Sequence, residues 1–189
     1  MKQAKVLNET EMKRLLAVIG AGKHAARNRL AVMLSNLAGL RVGEIASLKY
    51  GEVFADDGSV RDQFTLKSEN TKAGEARAVF VGNKLKKELC QFQKSLKTPF
   101  DPQAPLLMTQ KRTAFSGNTL CQLFGQLYSK AGIDGASSHS GRRSFITKLA
   151  HNGISAKVIM ELAGHKNLGT TQRYIEVNDE MKRAAVEAI

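Results

Sequence analysis

The sequence predicts an α+β fold that is mainly α, a helical domain carrying one small antiparallel β-sheet. Three observations predict it. Apolar residues recur at helical spacing along most of the chain, as in Leu30, Met33, Leu34 and Leu37 at i, i+3, i+4 and i+7. Only between Val53 and Val81 does the pattern change to short alternating runs rich in β-branched and aromatic residues. No internal repeat, low-complexity stretch or linker-like segment divides the 189 residues, so a single domain over residues 1–189 is expected.

The elements follow in order. Leu7-Asn8-Glu9-Thr10-Glu11 opens a helix, with Asn8 as cap, Glu11 at the capping-box position and Leu7 placed to staple the first turn. Leu15, Leu16 and Ile19 form its apolar side, and Gly20-Ala21-Gly22 breaks it. A second helix is expected from His24 to Leu37, with basic first turns (Lys23, His24, Arg27, Arg29) facing solvent or a polyanion. Gly39 closes it, and a short helix from Val42 to Lys49 turns Ile45 and Leu48 inward. Phe64–Leu66 and Arg77–Val81 read as two strands around the turn Ser68–Glu75.

Asn83–Lys97 is an amphipathic helix with Leu85, Leu89, Phe92 and Leu96 on one face. Thr98–Pro105, which holds all three prolines, is a surface loop. Asn118–Ala131 carries Leu120, Leu123, Phe124 and Leu127 as a core stripe. A helix with Phe145, Ile146 and Leu149 inward ends at Asn152-Gly153, and Ser155 caps the next, whose Val158, Ile159 and Leu162 are expected to face in. Glu176–Ile189 forms a last amphipathic helix with Met181, Ala185 and Ile189 in line.

Composition narrows the function. Hydrophobic content of 42% and charged content of 24% are those of a globular chain. No apolar run approaches a membrane span, and the first ten residues do not form a signal peptide, so a cytoplasmic protein is expected. Lys and Arg outnumber Asp and Glu by 29 to 17, a net charge of +12, which favours a polyanionic partner such as DNA or RNA. Cys90 and Cys121 lack metal-site spacing and read as buried, reduced thiols. No metal or cofactor site is expected.

Polar groups suited to phosphate gather at the helix breaks of Ser137–Tyr174. His139 and Arg142 are three apart and would share a helical face. Arg142 offers a planar fork of donors that matches two phosphate oxygens. His165 follows the helix-ending Gly164, and Tyr174 lies nine residues on. Arg41 follows Gly39-Leu40 upstream. Two arginines, two histidines and a tyrosine on a basic chain point to chemistry on a DNA phosphodiester. Each has a plainer reading when taken alone. Arg41 would be a helix-start arginine paired with Glu44, His165 a capping histidine, and Tyr174 a half-buried aromatic. Lys72, at the turn between the strands, would be a solvated loop lysine. His151 reads as a helix C-terminal histidine.

Taken together, H-x-x-R at 139–142, A-G-H at 163–165, T-T-x-x-Y at 170–174 and G-L-R-x-G-E at 39–44 resemble the tyrosine recombinase (phage integrase) family in order and spacing. The resemblance runs from about Leu7 to Tyr174 and covers that family's catalytic domain. It implies site-specific DNA breaking and rejoining through a 3′-phosphotyrosine, without metal or ATP. It assigns Tyr174 as nucleophile, Arg41 and Arg142 as clamps on the non-bridging oxygens, and His139 and His165 as proton-handling or hydrogen-bonding groups. Lys72 would be the general acid for the leaving 5′ oxygen, with Lys67 its rival by position.

The resemblance further implies double-stranded DNA as partner, a homotetramer on DNA, an accessory directionality protein, and a nucleoid-associated setting of bacterial, plasmid or phage origin. In its terms the family's N-terminal core-binding domain is absent, and 176–189 is the C-terminal tail helix. Gly141 stands where the family often has an apolar residue, and Arg143 where it has a second histidine. A glycine inside a helix costs about 1 kcal/mol, so a looser His139–Arg142 geometry is expected. Two other readings share these residues: a non-catalytic helix-turn-helix DNA-binding protein built on 139–163, and a type IB topoisomerase-like enzyme.

Overall fold

Asn8 starts helix α1 (Glu9–Gly20) through the expected capping box. Its side chain accepts from the Glu11 backbone N–H at 2.8 Å, and the Glu11 carboxylate accepts from the Asn8 N–H at 3.2 Å. Leu7 is buried beside it. The computed structural model describes residues 3–71, 74–96, 101–174 and 179–187.

Helix α2 (Ala25–Ala38) is the centre of the fold. Leu30, Ala31, Val32 and Leu34 are all buried, so it is covered on more than one side, by α1, by α5 (Asn83–Lys94) and by α7 (Ser140–His151). Its basic start meets solvent only in part: Lys23 is exposed, whereas Arg27 and Arg29 are also engaged within the chain. Arg27 lies 5.0 Å from the centre of the Phe115 ring and donates to the Met108 carbonyl, and Arg29 makes a two-pronged pair with Glu88 at 2.7 Å. His24 is half-buried.

The short helix expected over 42–49 ends two residues early. Helix α3 (Val42–Ser47) stops before Leu48, which is extended, and α4 (Tyr50–Val53) follows. The cause is non-local: Leu48 O accepts from Leu106 N, and Tyr50 N donates to Ala104 O, so this backbone is paired with residues 104–106. Strands β1 (Gln63–Leu66) and β2 (Arg77–Phe80) form the antiparallel pair, with Phe64 opposite Val79 and Leu66 opposite Arg77. Phe64, Leu66 and Val79 turn one face to the core.

Helix α5 buries Leu85, Leu89 and Phe92, and α6 (Gly117–Lys130) buries Leu120, Phe124, Leu127 and Tyr128. These stripes join α1–α4 and the sheet in one main core. Both cysteines are free, and neither is buried as expected: Cys90 is half-buried and Cys121 exposed. A smaller cluster lies between α7 and α8 (Ala156–Ala163), made of Ile146, Ala150, Ile159 and Ala163, with Phe145, Leu149 and Tyr174 against it. Val158, expected inward, is 46% exposed; Ile159 and Ala163, four apart, form the inner edge of α8 instead. Helix α9 (Leu168–Gln172) leads to Tyr174, and α10 (Asp179–Glu187) is the last described element. Met181 and Ile189 of its expected stripe lie outside the described side chains, and Ala185 is exposed. No helix among the described residues is long and apolar enough to cross a membrane.

Candidate active site

The site is built on two helix ends. Helices α2 and α8 both stop at a glycine in the left-handed region, Gly39 at φ 64° and Gly164 at φ 63°. Such a turn leaves carbonyls at the negative end of the helix dipole, where cations are favoured. Three consecutive carbonyls at the end of α8 receive three different arginines. Leu162 O accepts from Arg77 Nη1 at 2.8 Å, Ala163 O from Arg142 Nη2, and Gly164 O from Arg41 Nη2 at 3.4 Å. Arg142 also donates from Nη1 to Gly39 O at 2.6 Å, so one guanidinium ties both helix ends together.

Among the described residues, a single carboxylate stands in contact with these cations. Glu44 is 1% exposed, and its oxygens accept from Arg41 Nη1, the Arg41 backbone N–H and Arg77 Nη2, each at 2.8 Å. Burial pushes its carboxyl up, but the Arg77 charge, the Arg41 N–H and the Arg41 guanidinium outweigh that and hold it below the ordinary carboxylate range. The expected Arg41–Glu44 pair is thus present, and it does not prevent Arg41 from facing a groove. Arg142, 6% exposed, has no carboxylate in contact among the described residues; burial first, then the Arg41 charge, pull its pKa down to about 9. Among the described residues, three guanidiniums against one carboxylate leave an excess of two positive charges in this place. A phosphate is the complement of that arrangement.

His165 follows Gly164 directly. Its Nδ1 lies 2.8 Å from the Thr171 hydroxyl, and its ring stacks on Tyr174 with centroids 6.0 Å apart and planes 22° apart. Burial first, then the charges of Arg142, Arg41 and Arg77, lower its pKa to about 4, so the ring is neutral at pH 7. Tyr174 is half-buried against the α7–α8 cluster, and the Arg143 guanidinium carbon sits 5.7 Å from its ring centre. Arg143 also donates to Ala4 O at 2.7 Å, which ties the first residues of the chain to this corner.

Arg41, Arg142, His165 and Tyr174 therefore share one neighbourhood. His139 stands apart from the interior. It is the exposed N-cap residue of α7, one turn before Arg142, and among the described residues its side chain has no hydrogen-bond partner. Lys72 lies outside the described residues. Beside the cluster runs a groove of about 570 Å³ between the hairpin and α8, whose lining includes Arg41, Arg77 and His165, the Lys166–Glu75 pair, Glu161 and the apolar Phe80.

Gly141, expected to loosen the His139–Arg142 geometry, has a packing role inside α7. It lies where α7 crosses α2, and a Cβ there would sit 2.7 Å from Ser35 Oγ and 2.9 Å from Ser35 Cβ. The missing side chain permits the close approach that brings Arg142 to Gly39 O. Arg77 and Thr171 are the residues that sequence reasoning passed over. Arg77 read only as a strand residue, although a buried Glu44 shared with one half-exposed arginine called for a second cation. Thr171 read only as motif spacing.

The comparisons with known proteins agree with this geometry. The model of the phage integrase family matches residues 5–181. The tyrosine recombinase XerA of Thermococcus kodakarensis is 34% identical over 186 residues, which cover 97% of this chain and 62% of that protein. The tyrosine recombinase XerD of Neisseria meningitidis serogroup A is 29% identical over 174 residues, 91% of this chain and 58% of that protein. The chain thus spans about three fifths of the length of these relatives. A crystal structure of XerA recombinase superposes with a TM-score of 0.75 at 25% identity, over 100% of this chain and 64% of that one. The Tn1549 transposon integrase, solved with a circular intermediate DNA, shares the fold with a TM-score of 0.78 at 20% identity, over 100% of this chain and 67% of that one. A matched family model over nearly the whole chain, on a fold whose helix ends gather the arginines, the histidine and the tyrosine of its motifs, places this chain in the phage integrase family.

Proposed function

We propose that this chain is the catalytic domain of a site-specific tyrosine recombinase, breaking and rejoining double-stranded DNA through Tyr174. The observation that carries the reading is the excess of two guanidinium charges around Glu44, beside a tyrosine stacked on a neutral histidine. The phenolic oxygen of Tyr174 attacks the phosphorus and forms a 3′-phosphotyrosine while the P–O bond to the 5′ oxygen breaks. The bond energy is kept in the ester, so attack by a 5′ hydroxyl can reverse the step and rejoin strands without ATP.

Arg41 and Arg142 hold the non-bridging oxygens, where charge builds in the transition state. Their backbone carbonyl anchors occupy only part of each fork and pre-orient the rest. Neutral His165 donates a hydrogen bond to the same phosphate. His139, at the surface end of α7, takes or orients the phenolic proton, and Lys72 protonates the leaving 5′ oxygen. The XerA and XerD relatives and the DNA-bound integrase support DNA as substrate. A tetramer on paired DNA sites, the tail from 176 onward as a docking element and an accessory directionality protein complete the proposal.

A nicked suicide substrate tests it. The wild-type chain should become covalently attached to the 3′ side of the cut and migrate with DNA under denaturing conditions. Tyr174→Phe should bind the same DNA and give no adduct. An adduct that persists in Tyr174→Phe would reassign the nucleophile, and DNA binding without an adduct in both proteins would favour a binding module.

A further inference from the structure

We propose that Thr171 is a positioning residue whose hydroxyl fixes the His165 proton on Nε2, making the imidazole a hydrogen-bond donor to bound phosphate that cannot act as a base. The inference deepens the phosphotyrosine reading above and rests on it for its consequence in the reaction.

Thr171 is 0% exposed, and among the described residues His165 Nδ1, at 2.8 Å, is the sole hydrogen-bond partner of its hydroxyl. Two proton arrangements are open. In one, the hydroxyl donates to Nδ1 and the ring proton sits on Nε2. In the other, Nδ1–H donates to Oγ1, and the hydroxyl hydrogen is left buried without an acceptor. A buried donor without a partner forfeits a bond that it makes in water, so the first arrangement wins. The imidazolium form has the same defect as the second arrangement, because both ring nitrogens then donate. Thr171 thus opposes protonation in the same sense as the cations that face the ring, Arg142 from α7, Arg41 from the start of α3 and Arg77 from β2. The remaining neighbour, Tyr174, presents its ring face.

The same residue also holds the nucleophile. Thr171 O accepts from the Tyr174 backbone N–H at 2.9 Å. The hydroxyl sets the histidine proton and the carbonyl sets the tyrosine backbone, one residue serving both partners of the stacked pair. Thr171→Val keeps the shape and the carbonyl and deletes only the hydroxyl, whereas Thr171→Ser restores it.

The test reads the tautomer directly. Long-range ¹H–¹⁵N spectra of the histidine rings are recorded on the DNA-free chain, with the His165 signals assigned by their loss in His165→Gln. The wild type and Thr171→Ser should show the Nε2–H tautomer at pH 7. Thr171→Val should show mixed tautomers and a titration midpoint raised toward the ordinary imidazole range. An Nδ1–H ring in the wild type, or an unchanged Thr171→Val spectrum, would overturn the assignment. On the suicide substrate Thr171→Val should cleave about tenfold more slowly than Thr171→Ser, the effect of about one hydrogen bond, with equal DNA binding, and equal rates would overturn the role in the reaction. Failure of the wild-type chain to cleave counts instead against the phosphotyrosine reading, and the spectra, recorded without DNA, still decide the tautomer.

Discussion

Gly141→Ala separates two opposed expectations by the sign of one number. Helix propensity alone favours alanine over glycine by about 1 kcal/mol. The α2–α7 crossing opposes it, since the new Cβ would meet Ser35 Oγ at 2.7 Å, Ser35 Cβ at 2.9 Å and the Asn36 backbone nitrogen at 3.3 Å. The hydroxyl can rotate away, but the Cβ and the backbone nitrogen cannot. Carbon–carbon contact becomes favourable near ~3.5 Å, so the helices must part by roughly half an ångström. Overpacking of this kind costs about 1–3 kcal/mol. The upper half of that range applies, because α2 and α7 also share the buried Arg142–Gly39 bond. Subtracting the propensity gain leaves a net loss of about 1–2 kcal/mol.

Urea unfolding followed by far-UV circular dichroism measures that loss directly. In thermal melts the midpoint should fall by about 2–4 °C for each kcal/mol in a domain of this size. Pairing the change with Ser35→Gly removes the opposing Cβ, so the double variant should exceed the sum of the single effects by about 1–2 kcal/mol. A Gly141→Ala protein as stable as its parent would refute the close-approach argument and return the residue to being a mere helix defect.

Other expectations follow from the charge cluster. Glu44→Gln takes the carboxylate from its two paired guanidiniums, Arg41 and Arg77, and should destabilise the fold by about 3 kcal/mol at pH 7 in urea titrations. Because the folded pKa of Glu44 is depressed, its contribution is complete above the unfolded value of about 4.3 and is lost as pH falls through the folded value. The gap between wild type and Glu44→Gln should therefore close in acid, and a gap that stays constant down to pH 3 would refute it. Arg142→Lys cannot reach both Gly39 O and Ala163 O with a planar fork; single-turnover cleavage should drop by about 10² or more while DNA binding persists in a gel-shift assay.

Local features of this chain were legible in its sequence, and features set by distant partners were not. The Asn8–Glu11 capping box, the glycine stops at Gly39 and Gly164, and the core stripes of α5 and α6 each depend on residues within a few positions, which one sequence displays. The residues now seen side by side around Gly164, namely Arg41, Arg142, His165 and Tyr174, were picked out by motif spacing and by the chemistry that phosphate needs. Arg77 was not, because the residues that define it, Glu44 and Leu162, lie 33 and 85 positions away. Gly141 was misread for the same reason, since the helix that needs its missing side chain is α2. The break between α3 and α4 and the internal engagement of Arg27 and Arg29 likewise depend on residues 104–115 and Glu88, which periodicity within one segment cannot reveal.

The three arginines at the end of α8 carry a consequence for when this corner forms. Their bonds to Gly164, Leu162 and Ala163 close loops of 123, 85 and 21 positions, and the Arg142–Gly39 bond closes one of 103. Contacts of such long range are made late on a folding path, after the entropy of closing the chain has been overcome. The arginine-lined corner is therefore a product of the finished fold and not a pre-formed local motif. Opening of α8 alone would remove one anchor from each of the three guanidiniums while Arg41 and Arg77 stay paired with Glu44 and Arg142 with Gly39 O, so hydrogen exchange at the α8 amides reads how often the corner loses that shared support.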